Sequence, residues 1–207
     1  MRIRSALLGL AVLVAGLAGG AGAAGATQLA GATQQTGATQ RAGATMVAAA
    51  APYCGITWGS ASKSGGTLSQ APLIAVRTAR QACFDRVVFE FNGRVNGYSV
   101  HYGETYTEGE GLPLSPYTAG SALLAVSLRA PAYDAQHAGT FPYRTGAHVA
   151  NVLRYRTLRD VVFGGSFEGY TTFAVGVRAR LPYRVSVLSG PGTHSRIVLD
   201  VAHRWQA

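Results

Sequence analysis

The sequence predicts an all-β domain, a small β-sandwich or open barrel of short antiparallel strands, with room for one short helix. Three observations lead to this prediction. Apolar and polar side chains alternate in several short runs, which is the period of half-buried strands. Turn sequences rich in Gly, Asn and Pro separate those runs. Residues 53–207 follow a low-complexity start and are numerous enough to enclose one hydrophobic core.

The N-terminal residues 1–24 have the layout of a secretory signal peptide. Two arginines within the first four residues precede an apolar run from Ala6 to Leu17, and an Ala-Gly-Ala sequence follows at 21–23. The alternative is an uncleaved membrane anchor, but the strongly apolar part is shorter than the roughly 20 residues that a membrane helix needs. We therefore expect a secreted or cell-wall-associated protein, which contacts a membrane only if the signal stays uncleaved.

Residues 25–52 form a low-complexity linker. The sequence Gly-Ala-Thr-Gln recurs every six residues from Gly25, and the region consists almost entirely of small and polar residues. Such side chains cannot bury enough apolar surface to offset the entropy of ordering the chain. We expect a disordered tether that leads into a folded domain at 53–207.

The clearest strand lies at 86–91. Val87, Phe89 and Phe91 alternate with other residues there, and a second alternating run follows at 98–102. The segment between the two runs contains Asn-Gly twice, at 92–93 and 96–97, and this dipeptide favours the tight turns of hairpins. The pattern predicts a β-hairpin.

The same patterns predict further strands along the chain. A long strand is expected at 171–181, with Pro182 bending or ending it. Residues 148–160 suit either a strand pair or a short helix. The other predicted strands are 73–79, 121–128, 183–187 and 197–205.

Cys54 and Cys83 are the two cysteines of the chain. In an exported protein an even count predicts a disulfide. Closing a loop of about 30 residues stabilises a fold by roughly 3 kcal/mol. A reactive Cys83 is the alternative, but it needs a nearby base and a reducing environment, and the local sequence supplies neither. Asp85 is then expected to be a strand-end or turn residue.

The chain is strongly basic, with 18 Lys and Arg against 9 Asp and Glu. A basic exported domain is attracted to anionic polymers, whereas nucleic acid is not an expected partner outside the cytoplasm. In the predicted strand at 171–181, Arg178 and Arg180 alternate with apolar residues and should face solvent together, and Arg184 follows the bend. Guanidinium groups bind carboxylates and phosphates through paired donors, so these three arginines are candidate binding residues. The alternative is that they are edge-strand charges that prevent aggregation.

The sequence offers no catalytic, metal or cofactor site. The nucleophile motif G-x-S-x-G is absent, and Ser166 lies only in a partial match. None of the five histidines is paired at a metal-ligand spacing. Glu104, Glu108 and Glu110 form the densest carboxylate cluster, but they lack the Asp-rich pattern of calcium loops and should be solvated. We predict no catalytic residue, no metal and no cofactor.

Three sequence blocks resemble the AMIN-like domain of exported proteins from high-GC Gram-positive bacteria, a relative of the AMIN domain of peptidoglycan amidases. The blocks are CFDRVVFEFNG at 83–93, GSFEGYTTFAVGVRARLPYRV at 165–185 and SRIVLDV at 195–201. The resemblance implies a sandwich of two small sheets and a role in envelope targeting. It places Arg196 and Asp200 on one face of the closing strand. It implies no ligand and no catalytic residue.

The sequence therefore leads us to expect a non-enzymatic exported module that binds peptidoglycan or an anionic wall polymer. A protein-interaction domain that recruits an envelope enzyme is the first alternative. An uncharacterised hydrolase is the second.

Overall fold

The computed structural model describes residues 51–205, and within them the protein is all-β. The expected signal peptide at 1–24 and nearly all of the expected linker, up to residue 50, lie outside the described residues. The helical elements in the described range are two short 3-10 turns, Tyr53–Gly55 and Ser115–Tyr117. No helix among these residues has the length and apolar character needed to span a membrane. The strands are β1 Lys63–Gly65, β2 Leu73–Arg80, β3 Phe84–Phe91, β4 Tyr98–Tyr102, β5 Ala122–Leu128, β6 Leu158–Phe167, β7 Tyr170–Val177, β8 Tyr183–Ser189 and β9 Ser195–Ala202.

The strands form two antiparallel sheets that pack into an open sandwich. The five-stranded sheet has the order β1-β4-β5-β7-β6, and the four-stranded sheet has the order β2-β3-β9-β8. Alternate side chains of each strand point to the interior, as expected from the strand period of two. The all-β sandwich predicted from the sequence is confirmed.

The core between the sheets is rich in phenylalanine. The rings of Phe89 on β3 and Phe173 on β7 lie 5.0 Å apart, which joins the two sheets at their centres. Phe141 and Phe163 extend this group, with ring centroids 5.1 Å apart. Aromatic pairs at such distances contribute beyond the area that they bury. The ring cluster is therefore the main packing contact between the sheets.

The outer face of the five-stranded sheet is also buried, because the β4–β5 loop at 103–121 lies across it. Leu114 of this loop packs with Val162 and Ala174 in a second apolar cluster. Where the loop meets β7, a Cβ on Gly176 would lie 1.8 Å from the carbonyl oxygen of Ala119. Only glycine permits this approach of two backbones. Both faces of β7 are consequently buried, and its burial shows no alternation.

The expected hairpin at 86–102 is wrong, because its two strands belong to different sheets. β3 pairs with β2 and β9, whereas β4 pairs with β1 and β5. The connection at 92–97 crosses from one sheet to the other. Val95 in this connection is buried, and its N–H donates to the Ser195 hydroxyl at 2.8 Å. The buried Val95 therefore fixes residues 92–97 as a connection between the sheets, although the two Asn-Gly sequences alone favour a tight turn.

Two further expectations need correction. The long strand expected at 171–181 ends at Val177, after which Arg178 donates its backbone N–H to the Thr157 carbonyl at 3.0 Å. The hydroxyl of Tyr102 then fixes the following corner by bonding both the N–H and the carbonyl of Leu181. Residues 148–157 form neither a helix nor a strand pair. They are a loop with an isolated bridge at His148, and β6 begins at Leu158.

The expected disulfide between Cys54 and Cys83 is confirmed. Their Cα atoms lie 6.3 Å apart, and the bond ties the first 3-10 turn to the residue before β3. The enclosed segment contains β1 and β2, one strand from each sheet. In the unfolded chain the cross-link therefore limits the conformations of the segment that forms one edge strand of each sheet.

Replacing Cys54 and Cys83 together by serine should lower the free energy of unfolding by about 3 kcal/mol, since the open chain gains loop entropy. Chemical denaturation followed by tryptophan fluorescence measures this change. Reduction of the unaltered protein is the matched control and should give the same shift of the midpoint. An unchanged midpoint in both samples would show that the cross-link does not constrain the unfolded state.

Candidate functional site

A buried carboxylate organises the outer face of the four-stranded sheet. The register places Arg86 of β3 and Arg184 of β8 on either side of Asp200 of β9. Arg86 donates from Nε and Nη2 to Asp200 at 2.6 and 2.9 Å, and Arg184 donates from Nε at 2.9 Å. The hydrogen bonds to Asp200 raise the pKa of Arg86. The site therefore holds two charged guanidinium groups around one carboxylate.

Aromatic rings support both guanidinium groups. The rings of Trp58 and Phe84 meet edge to face at 5.5 Å. The Arg184 guanidinium lies 4.4 Å from the Trp58 ring centroid, and that of Arg86 lies 5.3 Å from the Phe84 centroid. Cation–π contacts of this kind orient a guanidinium as well as attract it. The side chain of Arg184 is still 43% exposed. It is thus held in place and open to solvent at once.

A second charged cluster lies at the other end of the same face. Glu90 accepts from Arg77 at 3.0 Å and lies 3.3 Å from the ring nitrogen of His194. Burial raises the pKa of Glu90, but these two partners lower it by more, so the net shift is downward. The Nε atom of Arg196, opposite Glu90, is buried and has no hydrogen-bond partner within residues 51–205. Positive charge exceeds negative charge on this face, which carries Arg77, Arg86, Arg184 and Arg196 against Glu90 and Asp200.

The three arginines expected to form a row occupy different surroundings. Arg178 and Arg180 lie in the corner between β7 and β8, and Arg184 lies on the outer face of β8. Arg178 donates to the carbonyl oxygen of His203. Arg180 lies 5.2 Å from the Tyr102 ring centroid. Arg178 and Arg180 are exposed as expected, but no strand aligns them, because β7 ends at Val177.

Asp85 is a functional candidate that the sequence did not reveal. It lies near the start of β3, as expected for a strand-end residue, but its side chain is fully buried. It accepts from the backbone N–H groups of Thr157 at 2.5 Å and Leu158 at 3.1 Å, and it lies 3.1 Å from His203 Nε2. The sequence did contain one indication of this burial. Asp85 and Val87 are two residues apart on β3, so their side chains point to the same, inward face.

The residues most suggestive of hydrolysis have structural partners. Ser166 Oγ bonds to the Tyr170 carbonyl at 2.8 Å and accepts from the Ala132 N–H at 2.9 Å. It also receives the hydroxyl of Thr171 at 2.9 Å, so its oxygen is engaged in holding three backbone segments together. His148 and Asp160 do form a pair at 2.9 Å, with Asp160 also accepting from the Ala119 N–H. This pair anchors the loop that covers the five-stranded sheet.

The glutamates of the β4–β5 loop do not converge. Glu104 accepts from the backbone N–H of Ser115 at 3.1 Å and from its hydroxyl. Glu108 accepts from the Thr172 hydroxyl at 2.6 Å. Each carboxylate therefore fastens a different part of the loop. Within the described part of the chain, no three His, Cys, Asp or Glu side chains are grouped to hold a metal ion.

Comparison with known proteins assigns a family. The search of curated proteins gave no match. The family model of the AMIN-like domain matches residues 71–203. This range contains β2 to β9, the buried Asp85 and the arginine cluster around Asp200. Because the match covers more than half of the chain, the protein belongs to the AMIN-like domain family.

Proposed function

We propose that this protein is a non-enzymatic, exported envelope module that binds peptidoglycan or another anionic wall polymer. The observation that carries the proposal is the outer face of the four-stranded sheet, where three arginines pair with two carboxylates and Arg196 lies beside them without an ion pair among residues 51–205. Charge in excess of its internal partners attracts a polymer that bears carboxylate or phosphate groups. The resemblance to the AMIN domains of peptidoglycan amidases supports the envelope-targeting part of the proposal.

The arrangement of Arg184 suits such a ligand. Asp200 engages its Nε, and the Trp58 ring lies against one face, so the side chain is fixed before a ligand arrives. Its other N–H groups have no hydrogen-bond partner among residues 51–205. A guanidinium presents paired donors that match a carboxylate or a phosphate, and an ordered one loses little entropy on binding. Arg184 is therefore the central binding residue of this proposal.

An extracytoplasmic location fits the structure. The disulfide between Cys54 and Cys83 is typical of proteins that fold in oxidising compartments. AMIN-like domains suggest an envelope-associated protein. The basic N-terminus with its short apolar run adds the features of a signal peptide. We accordingly propose export to the cell surface or the wall.

A protein partner is the second candidate, and one feature favours it. β8 is an edge strand of its sheet, and Val187 and Leu188 near its end are 40% and 39% exposed. Exposed apolar side chains on an open edge suit pairing with a strand of another protein. In this role the module would recruit an envelope enzyme instead of binding the polymer itself.

Replacing Arg184 by glutamine should weaken sedimentation with purified, protein-free wall material by roughly tenfold, because one charge-assisted contact to the polymer is lost. It should also flatten the salt dependence of binding, since fewer ions are displaced. Arg184→Lys should restore the charge but only part of the affinity, because lysine lacks the paired donors.

Arg144→Gln is the matched control for this experiment, because Arg144 is also exposed but lies outside the four-stranded sheet. Equal binding by the Arg184 and Arg144 variants would remove the outer face as the polymer site. Binding that requires a wall-associated protein would favour the second candidate. Release of soluble fragments from the wall by the unaltered protein would show a hydrolase and end the proposal.

A further inference from the structure

A cavity of about 330 Å³ opens at one end of the sandwich, beside the turn that joins β2 to β3. It lies apart from the Arg184 surface and is lined by side chains from the turn, from the loop before β6 and from the end of β9. The charged residues and the histidine that line it are Arg80, Arg154, Arg156, Asp85 and His203. Three arginines around one small cavity repel one another unless an anion offsets their charge.

The single acid in the cavity does not neutralise these arginines. Both oxygens of Asp85 are already engaged, by His203 Nε2 and by the backbone N–H groups of Thr157 and Leu158. Neither Arg154 nor Arg156 forms an ion pair within residues 51–205. The net field in the cavity is therefore positive.

The rim of the cavity is also held in position. Arg80 lies at the end of β2 and donates from Nη1 to the carbonyl oxygen of Arg154 at 3.3 Å. This bond joins the strand end to the loop that carries Arg154 and Arg156. The three arginines are consequently held on neighbouring segments of the backbone. Such organisation before binding lowers the entropic cost of ligand capture.

His203 supplies an independent indication of a ligand. It is only 6% exposed, and its Nδ1 atom is buried without a hydrogen-bond partner among the described residues. The Nε2 atom faces Asp85 and carries a proton, because a carboxylate can only accept. The Nδ1 atom is then a buried acceptor without a donor, which costs free energy. The O–H of a hydrogenphosphate ion, or a water molecule ordered by a bound phosphate group, would provide that donor.

We propose that this cavity binds a phosphate group, held by Arg80, Arg154 and Arg156 beside the ring of His203. Donors from several directions suit a tetrahedral group with several acceptor oxygens better than a planar carboxylate with two. A phosphate group also carries one negative charge as a diester and between one and two as the free ion near neutral pH, which the arginines can balance. The volume admits a phosphate group together with several water molecules, each of which occupies about 30 Å³ in the liquid.

Calorimetric titration of the protein with inorganic phosphate tests the proposal. We expect saturable one-to-one binding that Arg154→Gln or Arg156→Gln weakens by about tenfold or more, because each removes a charge-assisted contact. Both side chains are exposed, so these variants should retain the fold. Arg94→Gln is the control, since it removes the same charge from an exposed residue beyond the opposite end of β3.

A second measurement reads the ring directly. With ¹⁵N-labelled histidine, phosphate should shift the His203 Nδ1 resonance, and acetate should not. Titration with glycerol-phosphate oligomers separates the two sources of the group. Tighter binding of the oligomer identifies a polymer phosphodiester, and tighter binding of free phosphate identifies the small ion. Both results support a phosphate site.

Three outcomes would overturn the site. They are the absence of saturable phosphate binding in the millimolar range, equal weakening by Arg94→Gln, and acetate binding as tight as that of phosphate. The result is separable from the fate of the proposed function, because wall sedimentation depends on Arg184 and phosphate binding depends on Arg154 and Arg156. The Arg184 variants can lose wall binding and still bind phosphate. The Arg154 and Arg156 variants can lose phosphate binding and still bind the wall.

Discussion

Replacing Asp85 by alanine is expected to lower the free energy of unfolding by about 3–5 kcal/mol, because three buried donors lose their acceptor together. The donors are the N–H groups of Thr157 and Leu158 and the ring of His203. None of them can turn to solvent, since Thr157, Leu158 and His203 are all buried. A domain of this size has about 5–15 kcal/mol of stability, so the loss is a large fraction of the total.

Urea denaturation measures the effect of Asp85→Ala, and two variants calibrate it. Asp85→Asn keeps an acceptor for the two backbone donors and should cost less. Asp134→Ala removes a carboxylate that accepts from Gln136 and Ala138 in an exposed turn, and it should cost about 1 kcal/mol. If Asp85→Ala were no more destabilising than Asp134→Ala, the buried network would contribute nothing to folding.

Replacing Phe173 by alanine should destabilise the fold by about 3–5 kcal/mol, the range for removing a large core ring. Phe173 has no exposure and touches aromatic rings from both sheets. Its centroid lies 5.0 Å from that of Phe89, 5.3 Å from Phe163 and 5.9 Å from Phe141. The neighbouring rings are anchored in strands or packed in the core, so they cannot collapse fully into the space left behind.

Phe167→Ala is the matched control for Phe173. It deletes the same side chain at the end of the adjacent β6, where the ring is 53% exposed. Phe167→Ala should lower the free energy of unfolding by about 1 kcal/mol or less, since this ring buries little surface on folding. Thermal unfolding of both variants gives the comparison. A small shift for Phe173→Ala would mean that the ring cluster does not hold the two sheets together.

Local alternation was sufficient to predict most strands. Phe89 and Ile197 occur in runs where every second side chain is apolar, and both runs are strands with those residues inward. β6 was not anticipated, because both of its faces are buried and its sequence LRDVVFGGSF has no alternation. The β4–β5 loop that buries the outer face of β6 is distant in sequence, so the sequence of β6 alone does not reveal that this face is covered.

The site was harder to predict than the strands, because its contacts join distant parts of the chain. The sequence placed Arg196 and Asp200 on one face of β9, and the register confirms this. It could not show that Asp200 meets Arg86, which is 114 residues away. Asp85 and His203 are likewise separated by 118 residues. Side-chain chemistry can be read locally, whereas pairing across a sheet depends on strand order.

The strand order also determines when the fold can be completed. β9 lies between β3 and β8, although it is the last strand along the described chain. Until residues 195–202 leave the ribosome or a translocation channel, β3 has β2 as its only neighbour in this sheet and β8 has none. A chain still in transit therefore presents unpaired strand edges and an incomplete core to any chaperone or protease nearby. Assembly of the four-stranded sheet must wait until β9 has emerged, and contacts so remote in sequence form slowly.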